Sequence, residues 1–216
     1  MFISHKRQLI FIHLPKTGGT SLTIALENQA ASDDIIIGDT PEAEERQHRF
    51  AGVKASGRLW KHSHLNEIYG LVTPSQINTY LKITIARNPW DRMVSYYHWL
   101  RVQTFKHHAV ALARSLEFEA FATHANIGQS FRQNSICTAM TDKNGAYRAD
   151  FVLRFESLQE DANRLSNMLG VKLGQLPLTN TSKRRRNYKE YYSDRSRSFV
   201  ADACEEDISM MSYTFD

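Results

Sequence analysis

The feature that most constrains the fold of this chain is an apolar run that ends in a glycine-rich loop. The run LIFIHL covers residues 9–14, and the loop continues as PKTGGTS. A short apolar run closed by a proline is typical of a buried parallel strand. The segment TSLTIALENQ that follows the glycines predicts a helix with Leu22, Ala25, Leu26 and Gln29 on one, mostly apolar face. Together these segments predict a strand–loop–helix unit.

The strand–loop–helix pattern recurs along the chain. YLKITIA predicts a strand over 80–86, and the next residues carry helix-start signals, since Asn88 can cap and Pro89 fits the first helical position. DFVLRF predicts a strand over 150–155, followed by a helix over 157–170. We therefore predict an α/β fold with a mostly parallel sheet, in a single domain over residues 1–216.

Three further segments carry weaker predictions. SLEFEAFATHA, residues 115–125, predicts an amphipathic helix. The polar segment 39–49 predicts a surface helix or loop, and the tail predicts a helix from Ser193 onward.

Composition limits the functions that the chain can have. The net charge of +4 over 216 residues suits an anionic ligand but does not require nucleic acid. Cys137 and Cys204 form no CxxC pair, so we expect two free thiols in a reducing compartment rather than a disulfide framework or a zinc site. No stretch approaches the ~20 apolar residues of a membrane span. We expect a soluble, cytoplasmic protein.

The loop between the first strand and its helix is suited to a phosphate-like group. Free backbone N–H groups and the helix dipole attract anions at a helix N-terminus. Glycines let the backbone approach a phosphate, hydroxyls donate hydrogen bonds, and a lysine adds charge. The predicted ligands are Lys16, Thr17, Gly18, Gly19, Thr20 and Ser21.

This loop differs from the common nucleotide-binding loop. GxxxxGK[ST] places its lysine after the second glycine, followed by a hydroxyl for Mg²⁺. Here Lys16 precedes both glycines, and no carboxylate dedicated to Mg²⁺ is evident. The order of residues therefore argues against ATP-driven phosphoryl transfer, which needs the metal to neutralise charge.

Two blocks of the sequence resemble a known family. HLPKTGGTSL resembles the 5′-phosphosulfate loop of sulfotransferases that use 3′-phosphoadenosine 5′-phosphosulfate (PAPS), and most closely the carbohydrate-sulfotransferase branch. IARNPWDRMVSYY resembles the 3′-phosphate motif of that family. The resemblance implies a P-loop NTPase-like three-layer α/β/α fold, with Arg87 and Ser95 contacting the 3′-phosphate and no metal. Arg92 is expected to be structural.

The resemblance also implies catalytic roles. Lys16 would stabilise the leaving phosphate during sulfuryl transfer. The family places its base in a segment that matches KHSHLNEI, which makes His62 the base of the acceptor hydroxyl. His64 is a competitor two residues later, and Glu67 stays open because some relatives use a carboxylate.

The role of the cationic run 183–186 and the identity of the acceptor both have several possible answers. Lys183 and Arg184 could bind PAPS or an acidic acceptor, or the run could be a solvated loop. A small-molecule kinase and a noncatalytic polyanion-binding module are the alternative functions. The branch favours a carbohydrate or small-metabolite acceptor, while lipid and peptide tyrosine stay open. A bacterial source is a reasonable guess, and the oligomeric state is not predicted.

Overall fold

The computed structural model describes residues 1–177, 179, 185 and 187–216. The strands are β1 Phe2–Ser4, β2 Leu9–Phe11, β3 Ile35–Ile36, β4 Leu81–Ala86 and β5 Phe151–Arg154. The α-helices are α1 Gly19–Glu27, α2 Pro41–Glu45, α3 Pro74–Thr79, α4 Pro89–Arg101, α5 His108–Ser115, α6 Phe118–Ala122, α7 Ala125–Gln133, α8 Ile136–Ala139, α9 Leu158–Leu169, α10 Asp194–Ala203 and α11 Glu205–Met211. Short 3₁₀ turns lie at Gln47–Arg49, Leu65–Glu67, Phe155–Ser157 and Tyr188–Tyr191.

The five strands form one mixed sheet in the order β3-β1-β2-β4-β5. The pairs β2–β4 and β4–β5 are parallel, whereas β1 pairs antiparallel with both β2 and β3. The predicted α/β class is therefore confirmed, with its parallel strands at β2, β4 and β5. The antiparallel edge was not predicted, because β1 and β3 have only three and two residues and show no periodic pattern, whereas the equally short β2 lies in the longer apolar run 9–14.

The chain divides into two compact units, and the sheet belongs to the first, residues 1–86 and 136–179. Its core packs Leu22 and Leu26 of α1 and Leu165 of α9 with the buried side chains of the sheet. Gln29, predicted on the same helix face as these leucines, lies beyond the helix and is exposed, because α1 ends at Glu27 and Asn28 caps it. The predicted stop of α9 at Gly170 is confirmed by its left-handed backbone, with φ of 63°.

The second unit comprises residues 87–135 and 180–216 and is helical in its described part. The predicted start of α4 is confirmed: the Asn88 side chain accepts hydrogen bonds from the N–H groups of Trp90 and Asp91, at 3.1 and 3.4 Å. The predicted helix from Ser193 onward is also confirmed, as α10 followed by α11.

The predicted single helix over 115–125 is wrong. α5 ends at Ser115, Leu116 and Glu117 are extended, and only the short helix α6 follows. Two aromatic anchors explain the break: Phe118 and Phe121 are buried and contact the ring of Tyr97, with ring centroids 5.4 and 5.1 Å apart. Tertiary packing of these rings overrides the local helical pattern.

Candidate active site

The glycine-rich loop is fixed to the sheet from its first residues. The N–H of Ile12 donates to the carbonyl of Ile83 at 3.0 Å, and the Thr84 hydroxyl donates to the carbonyl of Ile12 at 2.8 Å. Within the loop, the buried Thr17 hydroxyl donates to the carbonyl of Leu14 at 2.9 Å. Thr17 was predicted as a phosphate ligand, and in the structure its hydroxyl makes this hydrogen bond within the loop.

Two residues of the loop have left-handed backbone conformations. Lys16 has a φ of 65° and Gly18, the N-cap of α1, a φ of 86°. This region disfavours side chains, so Lys16 stores strain while Gly18 does not. A Cβ at Gly18 would also lie 2.7 Å from Cδ2 of Phe155. Lys16 therefore has an unfavourable backbone conformation in the loop that precedes α1.

The first turn of α1 is prepared for an anion. It contains Thr20 and Ser21, and it has no acidic residue. Ser21 donates its N–H to the carbonyl of Gly18 at 3.1 Å, and its hydroxyl lies 3.0 Å from that of Thr179. The N–H groups at the start of a helix have no carbonyl partner within it, and the helix dipole there favours negative charge.

The second glycine of the loop is required by packing against His13. A Cβ at Gly19 would lie 2.8 Å from Cγ of His13 and closer still to Cδ2 and Nε2. The His13 ring is buried, stacks on Phe11 with centroids 5.7 Å apart, and has an Nδ1 without a hydrogen-bond partner among the described residues. We did not predict a role for His13, although it precedes the loop by only two residues.

His62, the predicted base, lies against His13. Its Nδ1 is 2.6 Å from the main-chain carbonyl of His13, and the two rings meet edge to face with centroids 4.9 Å apart. A carbonyl can only accept, so Nδ1 of His62 carries the proton. Nε2 of His62 therefore has a free lone pair, which is the tautomer that a general base needs.

Both imidazoles are neutral at physiological pH. Burial lowers the pKa of His62 from its ordinary 6.5 to about 3, although the hydrogen bond to His13 opposes this shift. Burial also lowers the pKa of His13 well below 6.5. Desolvation disfavours the charged form of a histidine. The Nε2 lone pair of His62 is thus unprotonated over the whole physiological range, but a pKa so far below neutral makes it a weaker proton acceptor than a base whose pKa matches the working pH.

Arg87 and Ser95, predicted as 3′-phosphate ligands, are brought together in the second unit. Arg87 directly follows β4 in sequence, and its Nη1 donates to the Ser95 hydroxyl at 3.2 Å. Its Nε and Nη2 hold the carboxylate of Asp91 at 2.8 and 2.6 Å. A pair between Arg87 and Asp91 was not predicted, yet their spacing of four residues could have indicated it.

The model of the sulfotransferase family matches residues 1–214. The chain belongs to the sulfotransferase family. The family predicted from the two motifs is therefore confirmed.

Comparison with solved structures gives more distant similarities. A crystal structure of mouse sulfotransferase SULT7A1 complexed with PAP shares 12% identity, with 95% of this chain and 85% of that chain covered and a TM-score of 0.48. A sulfotransferase from Alicyclobacillus acidocaldarius shares 15% identity over 96% of both chains, with a TM-score of 0.38. Retinol dehydratase in complex with androsterone and inactive cofactor PAP shares 13%, over 95% of this chain and 82% of that chain, with a TM-score of 0.40. No curated protein matches the sequence significantly.

In this sulfotransferase, the two alternative bases have local roles. The Glu67 carboxylate accepts a hydrogen bond from the N–H of His64 at 2.7 Å, which caps the 3₁₀ turn that follows. Lys61, just before His62, forms an ion pair with Asp39. These contacts fix the backbone on both sides of His62.

Arg92 has the structural role that the sequence predicted. It is buried, its Nη1 donates to the carbonyl of Asn134 at 3.1 Å, and it lies 3.8 Å from the carboxylate of Asp207. Its guanidinium also stacks over the ring of Phe131 at 5.0 Å. These partners close off Arg92 from solvent and so from a ligand.

Lys183 and Arg184, predicted as donor-binding residues, lie outside the described residues. Of the cationic run, only Arg185 is described. Its N–H donates to the Tyr191 hydroxyl at 3.1 Å, and its side chain lies 3.5 Å from Glu190 with both groups well exposed. Such an exposed pair contributes about 0–1 kcal/mol.

Across the described ranges, no helix has the length and apolarity needed to cross a bilayer, and α4 has 13 residues. The part of the chain that the structure describes holds no cluster of His, Cys, Asp and Glu suited to a metal ion. Cys137 and Cys204 are free thiols as predicted, and burial raises the pKa of Cys204 to about 12.

Proposed function

We propose that this sulfotransferase transfers a sulfuryl group from PAPS to a hydroxyl or amine of a carbohydrate or small-metabolite acceptor. The observation that carries the proposal is the hydrogen bond from His62 to the carbonyl of His13, two residues before the loop PKTGGTS. It joins a neutral base to an anion-binding loop within one unit. Because the family match extends over 1–214, we propose that the chain acts as one sulfotransferase domain.

The donor would be held by residues from both motifs. Lys16, the hydroxyls of Thr20 and Ser21, and the first N–H groups of α1 would bind the 5′-phosphosulfate. Arg87 and Ser95 would bind the 3′-phosphate, for which the guanidinium offers a planar fork of donors. Asp91 holds that fork in place before a ligand arrives.

The chemical step needs one base and one stabilised leaving group. The acceptor oxygen forms a bond to sulfur as the bond between sulfur and the phosphate oxygen breaks. The acceptor proton moves to Nε2 of His62, and negative charge develops on the phosphate, where Lys16 stabilises it. The products are adenosine 3′,5′-bisphosphate and a sulfate ester, or a sulfamate where the acceptor group is an amine. Charge stabilisation by Lys16 requires no metal.

Donor binding can be tested by thermal unfolding with adenosine 3′,5′-bisphosphate, ADP, or ATP with Mg²⁺. A ligand that binds only the folded state raises the melting temperature. We expect a rise with the bisphosphate that Arg87→Ala abolishes and that Arg114→Ala, which removes an exposed arginine on α5, retains. A rise with ATP and Mg²⁺ alone would indicate a kinase. Stabilisation by polyanions without nucleotide preference would indicate a binding module.

The base can be tested by single-turnover sulfation in three variants. We expect His62→Asn to lose turnover by a factor of about 10²–10⁴ while it keeps bisphosphate binding. His64→Asn and Glu67→Gln should keep most activity if their roles are local. Loss of turnover in Glu67→Gln with an active His62→Asn would assign the base to the carboxylate.

A further inference from the structure

The connection between α4 and α5 exposes two apolar side chains. This connecting loop, residues 101–108, has the sequence RVQTFKHH. Val102 is 76% exposed and Phe105 is 47% exposed. Single apolar side chains are common on protein surfaces, whereas neighbouring ones that form a patch indicate an interaction site.

The connecting loop has fixed ends, and both apolar residues lie next to Trp99. The N–H of Val102 donates to the carbonyl of Trp99 at 3.3 Å, and the ring of Phe105 contacts the ring of Trp99, with centroids 5.9 Å apart. At the other end of the loop, Nδ1 of His107 accepts the N–H of Ala109 at 3.2 Å and so caps α5. Val102 and Phe105 are therefore presented together at the end of α4.

The formal charges around the connecting loop are all positive. Between Asp91 and Glu117 the sequence has no acidic residue, and its arginines and lysine there are Arg92, Arg101, Lys106 and Arg114. Arg92 is buried and the other three are exposed. Among the described residues no carboxylate lies within ion-pair distance of these three, and Arg101 donates instead to the Tyr97 hydroxyl at 3.1 Å. Exposed cations of this kind attract an anionic surface.

Positive charge and exposed apolar side chains in one loop fit the surface of an anionic bilayer. Lipid headgroups carry the negative charge that attracts Lys and Arg, and the boundary below the headgroups takes up apolar side chains. A soluble polyanion would bind the cations but would leave Val102 and Phe105 in water. The combination therefore favours a membrane over a polysaccharide or a nucleic acid.

We propose that the connecting loop is a membrane-docking surface, which holds this sulfotransferase on bilayers that contain anionic lipid. The exposed cations contact the charged groups of the lipid headgroups, and Val102 and Phe105 enter the boundary between headgroups and acyl chains. The inference goes beyond the proposed function and does not depend on it, because the loop contains none of the residues assigned to the donor or the base.

The test uses the full chain and vesicles of defined composition. Co-sedimentation measures binding to phosphatidylcholine vesicles with and without phosphatidylserine. We expect binding to be about tenfold tighter or more when phosphatidylserine is present, and to weaken as the salt concentration rises, because salt screens exposed charges. Heparin, titrated separately, is the polyanion that offers no apolar layer.

Two double variants separate the apolar contacts from the charges. Val102→Ser with Phe105→Ser should weaken vesicle binding by about tenfold and leave any heparin binding unchanged, since only a bilayer takes up the apolar groups. Arg101→Ala with Lys106→Ala should weaken vesicle binding by about fivefold for each cation.

The controls change matched residues of the first unit. Met168 is 54% exposed and Lys172 is also exposed, so Met168→Ser and Lys172→Ala should leave vesicle binding unchanged. The substituted side chains are exposed in the double variants too, so every variant should keep the melting temperature of the unaltered chain.

Tryptophan fluorescence locates the docking surface. Brominated acyl chains quench an indole that lies at the boundary of the bilayer. Because Trp99 contacts Phe105, we expect quenching in the unaltered chain and in Trp60→Phe, and loss of that quenching in Trp99→Phe.

The outcomes decide the inference without reference to the donor or the acceptor. Equal binding to the two kinds of vesicle, or unchanged vesicle binding in Val102→Ser with Phe105→Ser, would overturn it. Binding to heparin alone would also overturn it and would assign the cations to a polyanion. Binding that requires phosphatidylserine, together with quenching that Trp99→Phe removes, would support it.

Discussion

The two motifs of this sulfotransferase differ in what holds them in shape. Each follows a parallel strand and leads into a helix, the first after β2 and the second after β4. The first depends on backbone geometry: a left-handed Lys16, a left-handed Gly18 and a Gly19 pressed against His13. The second depends on side chains, since Asp91 and Ser95 hold Arg87. Substitutions should therefore distort the first motif and merely weaken the second.

The largest expected effect is at Lys16, where one substitution should change thermal stability and kcat in opposite directions. Glycine adopts a φ of 65° without penalty, so Lys16→Gly should unfold at a slightly higher temperature. The same change removes the positive charge that stabilises the leaving phosphate and should lower kcat by a factor of about 10²–10³. Denaturation and single-turnover assays measure the two effects. A variant that is both less stable and fully active would contradict the role given to Lys16.

The next effect tests the packing of Gly19. Gly19→Ala should lower the free energy of unfolding by about 2–3 kcal/mol, because the added methyl group overlaps the His13 ring. Gly38→Ala is the matched control, since its Cβ would lie 3.7 Å from that of Ala43, an ordinary contact.

A double variant sharpens the test of Gly19. Replacing His13 with alanine removes the ring that the new methyl group meets. We expect His13→Ala with Gly19→Ala to lose less stability than the sum of the two single variants. Additive losses, measured by urea unfolding, would show that Gly19 is required for another reason.

An effect of moderate size is expected in the pH dependence of the free energy of unfolding. His13 and His62 are neutral in the folded chain because burial lowers their pKa values, while an unfolded histidine titrates near 6.5. The unfolded state thus binds more protons below pH 6.5, and stability falls by up to about 1.4 kcal/mol per pH unit for each histidine. The contribution of His62 should level off near pH 3. Urea unfolding between pH 7 and pH 4 measures the slope.

Two variants assign this slope to the buried pair. His13→Phe keeps an aromatic ring on Phe11 and should remove the contribution of one proton. His48→Gln, which replaces an exposed histidine, is the matched control. An identical slope in His13→Phe and the unaltered chain would mean that His13 is not held neutral.

The smallest effect is expected in the second motif, at Ser95. Ser95→Ala removes one hydrogen bond of 3.2 Å from Arg87 but leaves the pair with Asp91. We expect a loss of about 0.5–1.5 kcal/mol in bisphosphate binding, visible as a smaller thermal shift. A loss as large as that of Arg87→Ala would show that Ser95 contributes more than its contact with Arg87.

The sequence alone determined the features that depend on near neighbours. The strands at β2, β4 and β5, the cap of α4 by Asn88 and the stop of α9 at Gly170 were predicted, since apolar periodicity and capping act within a few residues. The motif order indicated the family, which the match over 1–214 confirms.

Only the tertiary structure decided which contacts form between residues that are distant in sequence. The antiparallel edge strands, the break at Leu116 and the hydrogen bond that sets the tautomer of His62 all depend on partners distant in sequence. Gly19 looked like a phosphate-approach residue, yet packing against His13 also requires it. Contacts between distant segments form only when the chain is folded, so no local pattern encodes them.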